Sequence, residues 1–382
     1  MTLTEILTNE ELRHAEFPVS RDKIFLAHAG VCPLPRRVAQ AMNDCALGGT
    51  LGDQEAFVMH RLEEARKTGA KLLNCQPDEV AFVGPTSIAL SYVAAGLKYR
   101  RGDNILIYHD DYPSNVYPWM ALAAQGVQVR LLNTRGLGAI RTVDVIGQVD
   151  ENTRLVALAS CHFISGHRLE HEAIGKFLRE RGILFCLDAI QTLGAFPTTV
   201  EHVDFLAADS HKWLLGPCGA GIFYVRREQQ EKLNPPVYGW HNVRCPNFVA
   251  QETIEYRAGA AKFEAGSHNL VGLIGLLAAM ELALEIGVDN IAAELARKRA
   301  WLVAACTAKG YSVLNPGQKA ENAGGITSIF QPGQDLTPLH KKLAEAGIVA
   351  SLRADRKGQN YLRFSPHFYN TDAELQRVVE ML

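Results

Sequence analysis

No two of the eight cysteines form a C-x-x-C pair; they fall singly at 32, 45, 75, 161, 186, 218, 245 and 306. That spacing offers no zinc knuckle, redox dithiol or disulfide framework. Neither sign of charge dominates: 39 Lys+Arg stand against 41 Asp+Glu, a net of −2, with no basic arm or acidic tail. Binding along a phosphate backbone needs a positive excess, so no nucleic-acid partner is expected. The opening residues, MTLTEILTNEELRHAEF, are charged throughout and lack an apolar core, so they read as neither signal peptide nor anchor. The most apolar later stretch, Leu270 to Leu284, is interrupted by Glu281 and is too short to cross a bilayer. No membrane partner is expected, and the cysteines read as reduced, mostly buried thiols of a cytoplasmic protein. There is no G-x-G-x-x-G and no P-loop, which weighs against a non-catalytic doubly wound protein that binds a nucleotide.

The chain has 382 residues, 47% hydrophobic and 21% charged. That suits a soluble globular protein with one large domain and a smaller one. From about residue 79, apolar β-rich runs alternate with helical patterns. Strands are expected over Glu79–Val83, Asn104–Tyr108, Val127–Leu132, Arg154–Ala159, Ile183–Leu187, Val203–Ala207 and Gly221–Val225. Helices are expected over Ser87–Leu97, Ser114–Gln125 and Glu172–Arg181. Little polar alternation inside the strands predicts a parallel or mixed sheet covered on both faces, an α/β fold. Past about residue 265, two long helices, Leu270–Ile286 and Ile291–Lys309, precede short strands near Tyr311–Leu314, Gly325–Phe330, Ile348–Leu352 and Tyr361–Phe364. A last helix covers Asp372–Met381. The expected division is a large domain over 19–264 and a small α+β domain formed by 265–382 with 1–18, the latter read as one helix.

Three motifs are set aside. His167-Arg-Leu-Glu-His171 matches H-x-x-E-H, but Ser165-Gly166 stands before it and helical periodicity starts only at Glu172. His167 then lies in a loop, off the i, i+4 geometry that zinc requires, and no metal is expected. Gly216-Pro-Cys-Gly-Ala-Gly221 precedes a strand, whereas a phosphate loop follows one, so it reads as a tight turn. His109-Asp110-Asp111, at a strand end, are as readily turn residues as ligands.

The informative stretch runs from Leu184 to Val225. Asp188 ends one buried strand, with Gln191 three residues later; Ser210-His211-Lys212 follow another. A carboxylate and a lysine thus stand at strand C-termini, where open α/β sheets bind ligands. Pyridoxal 5′-phosphate needs such a pair: a lysine for its Schiff base and an anion to keep its ring nitrogen protonated. It also needs a phosphate site, which Gly84-Pro-Thr86-Ser87 supplies by following a strand and opening a helix. Tyr112, just past a strand, is placed to cover the ring. Any one of these alone is an ordinary cap, turn or surface residue; the set is specific.

With these residues, the sequence resembles the class V aminotransferases within the fold type I pyridoxal-phosphate enzymes. That family includes cysteine desulfurases, kynureninases and proteins similar to isopenicillin N epimerase. The resemblance runs from Phe25-Leu-Ala-His-Ala-Gly30 to Ser365-Pro-His-Phe-Tyr-Asn-Thr371 and is most specific in DSHKWLLGPCGAG. It implies a large domain with a mostly parallel seven-stranded sheet and a smaller α+β C-terminal domain. It implies that Lys212 carries the cofactor, Asp188 meets the pyridine nitrogen and Gln191 the ring 3-oxygen, while Thr86, Ser87, Ser210 and His211 hold the phosphate. Ser267, in Phe263-Glu-Ala-Gly-Ser267, resembles a hydroxyl that reaches the partner subunit's phosphate, which implies a homodimer with shared sites. Arg363 is implied to grip the substrate carboxylate, and His28 is a second substrate-binding candidate. Two departures stand out. Tyr112 occupies a position where desulfurases have histidine, and Ile348 to Lys357 holds no cysteine where they carry a catalytic one. Both point toward the epimerase-like and aminotransferase-like branch. The expected activity is that of an aminotransferase on an amino acid or small amine, with an epimerase or a C–S lyase of desulfurase type as alternatives.

Overall fold

A computed structural model describes residues 1–382, the side chain of residue 57 excepted. Seven strands form the central sheet: β1 (Val80–Val83), β2 (Asn104–Ile107), β3 (Gln128–Leu131), β4 (Thr153–Ala159), β5 (Leu184–Asp188), β6 (Phe205–Asp209) and β7 (Gly221–Val225). Their order is β1-β7-β6-β5-β4-β2-β3. β7 pairs antiparallel with β1 and β6, and every other pairing is parallel. The expected α/β class with a mostly parallel seven-stranded sheet is the fold observed. Because six strands share a direction, the residues that follow β1, β2, β4, β5 and β6 gather along one rim.

The unbroken apolar runs arise because both sheet faces are covered. In β5, Phe185 and Leu187 enter one core while Leu184 and Cys186 enter the other; β6 splits Leu206 and Ala208 from Phe205 and Ala207 in the same way. Some boundaries differ from expectation. The stretch read as one helix over Ser114–Gln125 is three short pieces, Pro113–Asn115, Tyr117–Met120 and Ala121–Gln125, since prolines at 113 and 118 each start a new turn. The strand expected over Val203–Ala207 lies two residues on, because the Asp204 carboxylate instead accepts a bond from the Phe185 N–H at 2.9 Å. The first eighteen residues hold two helices, Leu3–Thr8 and Glu10–Glu16. Asn9 ends the first and caps the second, its side chain accepting from the Leu12 N–H.

A second, antiparallel sheet is built from β8 (Ser312–Val313), β9 (Thr327–Phe330), β10 (Ser351–Ala354) and β11 (Asn360–Phe364), in the order β10-β11-β9-β8. Ile329, Leu362, Phe364 and Val378 form its core. The cores do not divide at residue 265. Helix Leu270–Ile286, apolar nearly all round, packs between helices Arg36–Gly48 and Gln54–Leu73 and belongs to the large core, as do Ile6 and Phe17. Ile24 and Leu26 instead join the C-terminal core, because Ile24–Phe25 pair in parallel with Ile348–Val349. Among the described residues, no single helix is long and apolar enough to cross a membrane.

Candidate active site

The rim of the central sheet brings Lys212, Asp188 and Tyr112 together, and Arg363 approaches them from the second sheet, close enough for its charge to act on Lys212. Lys212 follows β6 in a turn that leads through Trp213 to Leu215 and then to the glycine-rich segment. The close approach of chains there requires glycine: a Cβ on Gly221 would lie 2.7 Å from the Gly84 carbonyl oxygen. Gly216–Gly221 is thus the turn into β7, as expected. The Lys212 side chain is buried and, among the described residues, makes no hydrogen bond or ion pair. Its Nζ lies 5.1 Å from the centre of the Tyr112 ring. Burial lowers the amine to about 8, against the pull of Asp188, with Arg363 and Arg353 lowering it further.

Asp188, the last residue of β5, is buried, and burial pushes its carboxyl up to about 6, opposed by the Ile190 N–H and by Lys212. Oδ1 accepts from that N–H at 3.1 Å, which leaves Oδ2 for a group in the cleft. Gln191 is pinned at both ends of its amide. Trp213 Nε1 donates to its Oε1 at 2.7 Å, and its Nε2 donates to the Ala29 carbonyl at 3.2 Å, leaving one N–H free.

Thr86 opens helix Thr86–Gly96, whose N-terminus has no side-chain cap. Its first N–H groups are therefore available to an anion. Thr86 Oγ1 accepts from the Asp209 N–H at 2.9 Å, which ties this helix to the end of β6 and leaves its hydroxyl proton free. Ser87 Oγ donates to Ser114 Oγ at 2.7 Å. His211 Nδ1 bonds to Asp209 Oδ2 at 2.8 Å, so Nε2 is the ring atom left to a ligand. Ser210 is turned away: its hydroxyl donates to the Pro217 carbonyl at 2.8 Å and packs into the glycine turn. Its expected donation to a phosphate is corrected accordingly. Ser267 lines a cavity of about 160 Å³ together with Gly84 and Gly219.

Arg363, in β11, is 1% exposed. Nη1 donates to the Phe163 carbonyl at 2.6 Å and Nη2 to Ser351 Oγ at 3.3 Å, while Nε has no partner. No carboxylate of the described residues pairs with it. Burial lowers this guanidinium to about 9, helped by the charge of Arg353. His28 does not belong with it. The His28 ring is fully buried, with Nδ1 bonded to the Ser365 carbonyl at 2.9 Å and Nε2 to the Tyr369 hydroxyl at 2.7 Å. Burial drives it down to about 4, so it is a neutral packing residue with no ring nitrogen left for a substrate.

Asp111, which in sequence reads equally as a turn residue or a ligand, is a positioning residue. Its buried carboxylate accepts from the Tyr112 and Ala159 N–H groups and from Asn115 Nδ2, and so fixes the loop that presents Tyr112. Burial and the nearby Asp188 raise it to about 7. Its neighbour Asp110 pairs with Arg356 at 2.7 Å, so the acids of this segment serve separate ends. Only the Asp111–Asn115 spacing hinted at this clamp. His167 lies on an isolated bridge and His171 starts helix His171–Glu180, so the H-x-x-E-H pair does not share a helical face.

This donor set fits pyridoxal 5′-phosphate: an unpartnered amine, a carboxylate with a free oxygen beside it, an uncapped helix N-terminus and an aromatic face. The comparisons agree. The model of the family described as aminotransferase class-V matches residues 24–378. A probable cysteine desulfurase of Methanothermobacter thermautotrophicus is 29% identical, over 98% of each chain. An uncharacterized aminotransferase of Bacillus subtilis, YcbU, is also 29% identical, over 95% of each chain. The solved apo structure of a cysteine desulfurase from Thermococcus onnurineus NA1 superposes with a TM-score of 0.90 at 24% identity, covering 97% of this chain and 96% of that one. The fold and site define a fold type I pyridoxal-phosphate enzyme. This chain belongs to the class-V aminotransferase family and acts on an amino acid or small amine.

Proposed function

We propose that the protein is an aminotransferase for an α-amino acid, with Lys212 as its proton carrier and Arg363 as its carboxylate receptor. One observation carries this reading: a buried guanidinium without an anion lies within electrostatic reach of a buried amine without a hydrogen-bond partner. A fold sustains such a pair of cations when a ligand supplies the negative charge.

Pyridoxal 5′-phosphate, when bound, supplies an aldehyde for the amine and a ring that takes up the electron pair left at Cα. The remaining work falls to the chain. Arg363 holds the carboxylate in a fixed orientation through a planar fork that lysine does not reproduce. Lys212, brought down to about 8, is about one-tenth free base at pH 7, far more than an ordinary lysine, and takes the Cα proton. Asp188 would keep the ring nitrogen protonated through its negative charge. Tyr112 would cover one ring face, and the Thr86–Ser87 helix start would hold the phosphate.

With the cofactor bound, Lys212 would hold the proton taken from Cα; delivering it away from Cα would give transamination, and returning it to Cα would give epimerisation. A two-base epimerisation needs a second proton carrier. Of the histidines near Lys212, His162 has Nδ1 bonded to Ser165 and Nε2 to the Asp110 carbonyl, and His211, bonded through Nδ1 to Asp209, is assigned to the phosphate. That favours chemistry with one base. A substrate screen on the holoenzyme tests the reading, with keto acid from amino donors as the expected product; racemised amino acid without keto acid would overturn it.

A second reading, a C–S lyase, draws support from the relative named probable cysteine desulfurase. A persulfide-forming route is not favoured, because residues 351–357 hold no cysteine. Cys161, just past β4, is 1% exposed, and burial pushes its thiol up to about 12. L-cysteine with a reductant is expected to give no fast alanine; alanine formation that vanishes in Cys161→Ser would reverse this. The protein is further proposed to be a cytoplasmic homodimer. Exposed Val237, Tyr238, Phe248, Val249 and Ile254, in the segment leading to Ser267, support a covered surface there.

A further inference from the structure

Arg363 is not the sole guanidinium at the cleft. β10 and β11 pair antiparallel with Ser351 opposite Arg363 and Arg353 opposite Tyr361. Residues two apart on a strand share a face with their cross-strand partners. Arg353 and Arg363 are therefore diagonal neighbours on one face of this hairpin. Both reach the backbone of Gly30: a Cβ there would lie 3.8 Å from Nη2 of Arg363 and 3.9 Å from Nη2 of Arg353. Lys212 is close enough for both charges to act on its amine.

No acid answers this cluster. Among the described residues neither Arg353 nor Arg363 forms an ion pair. The acids nearby are taken: Asp110 by Arg356, and Asp355 by the Tyr361 hydroxyl and by N–H groups of its own turn. Arg356, on the same hairpin, shows what a partnered arginine looks like here. Arg353 spends Nη1 on the Leu352 carbonyl and keeps the rest of its fork free. It is half-buried, whereas Arg363 is fully buried, so it is the more solvent-accessible of the two guanidiniums. A single carboxylate on Arg363 leaves this second cation unmatched.

We propose that Arg353 is a specificity-determining residue that receives a second oxyanion, carried on the substrate's side chain, so that the preferred substrates are acidic amino acids. The proposal rests on the reading that Arg363 holds the α-carboxylate. A neutral side chain leaves Arg353 unpaired, and a basic one is repelled by both guanidiniums.

The test is titration calorimetry on the holoenzyme with unreactive acids. Succinate and maleate are expected to bind at least about tenfold more tightly than butyrate, since each charge-assisted fork contributes separately. Arg353→Met is expected to remove that preference while changing butyrate affinity by less than about threefold, and Arg353→Lys to restore part of it. Equal affinity for mono- and dicarboxylates, or a preference that survives both substitutions, overturns the proposal. The two readings fail differently. If Arg363→Lys weakens butyrate but dicarboxylates bind no better, the second site alone is wrong. If Arg363→Lys changes the binding of no acid, the α-carboxylate assignment falls and this proposal falls with it.

Discussion

Replacing Arg363 with methionine separates a ligand-binding arginine from a structural one. The side chain is almost wholly buried and bonded to Phe163 O and Ser351 Oγ, with Nε left unmatched. Burial and Arg353 bring the guanidinium down to about 9. A fall of that size corresponds to about 5 kcal/mol against the charged form. Two charge-assisted bonds return roughly 3–6 kcal/mol. The two contributions nearly cancel, so exchange for an apolar side chain of similar volume is expected to change the stability of the substrate-free protein by no more than about 2 kcal/mol. Substrate recognition is not cancelled in this way. Removing one partner of a buried ion pair costs about 3–5 kcal/mol, on the order of 10²–10⁴ in kcat/KM for an amino acid. The amine that lacks only the carboxylate never made the pair and is expected to keep most of its rate. The assay compares kcat/KM for such a matched pair, alongside calorimetric unfolding without substrate. A variant that loses several kcal/mol of stability, or loses both substrates equally, would show that Arg363 serves the hairpin and not the ligand.

Borohydride treatment of the coloured protein is expected to fix the cofactor irreversibly to Lys212, and an adduct mapped to another lysine refutes the assignment. The Lys212 amine, lowered to about 8, must be unprotonated to react, so cofactor uptake by the apo-protein is expected to accelerate as pH rises through about 8 and then level off; a flat profile from pH 7 to 9 contradicts this. Asp188→Asn is expected to retain the colour but slow Cα proton removal by about 10²–10³, by analogy with the loss of other electrostatic partners, and an unchanged rate excludes its role. Sedimentation of the fully loaded protein is expected to show a dimer whose stability is linked to cofactor binding, and a monomeric holoenzyme rules out a shared site.

The sequence alone carried the order of strands and helices and the placement of chemistry at strand ends. These features are local. Apolar runs such as Leu184–Leu187 show a strand covered on both faces, and a residue such as Asp188 or Lys212 follows its strand whatever the rest of the chain does. Turn chemistry is local too, which is why the stretch around Gly216 reads correctly as a turn and His167 as a loop residue.

Tertiary packing decided what each side chain meets. His28 and Arg363 are both polar residues in apolar surroundings, and no spacing tells them apart. Only the fold shows that Ser365 and Tyr369, more than 300 positions away, use up the histidine, while no acid reaches the arginine. Ser210 stands beside Lys212 in the chain, yet its hydroxyl turns to Pro217 because the glycine turn folds back on it. Leu270–Ile286 follows the expected boundary in sequence but is buried in the large core, since a helix apolar on all sides needs neighbours all round. Arg353 acquires its place from the β10–β11 register, which sets it diagonal to Arg363; a slip of one residue would turn it to the opposite face. Secondary structure follows from near neighbours along the chain, whereas burial, counter-charge and register come from segments brought together across it, and on these the function of a polar residue depends.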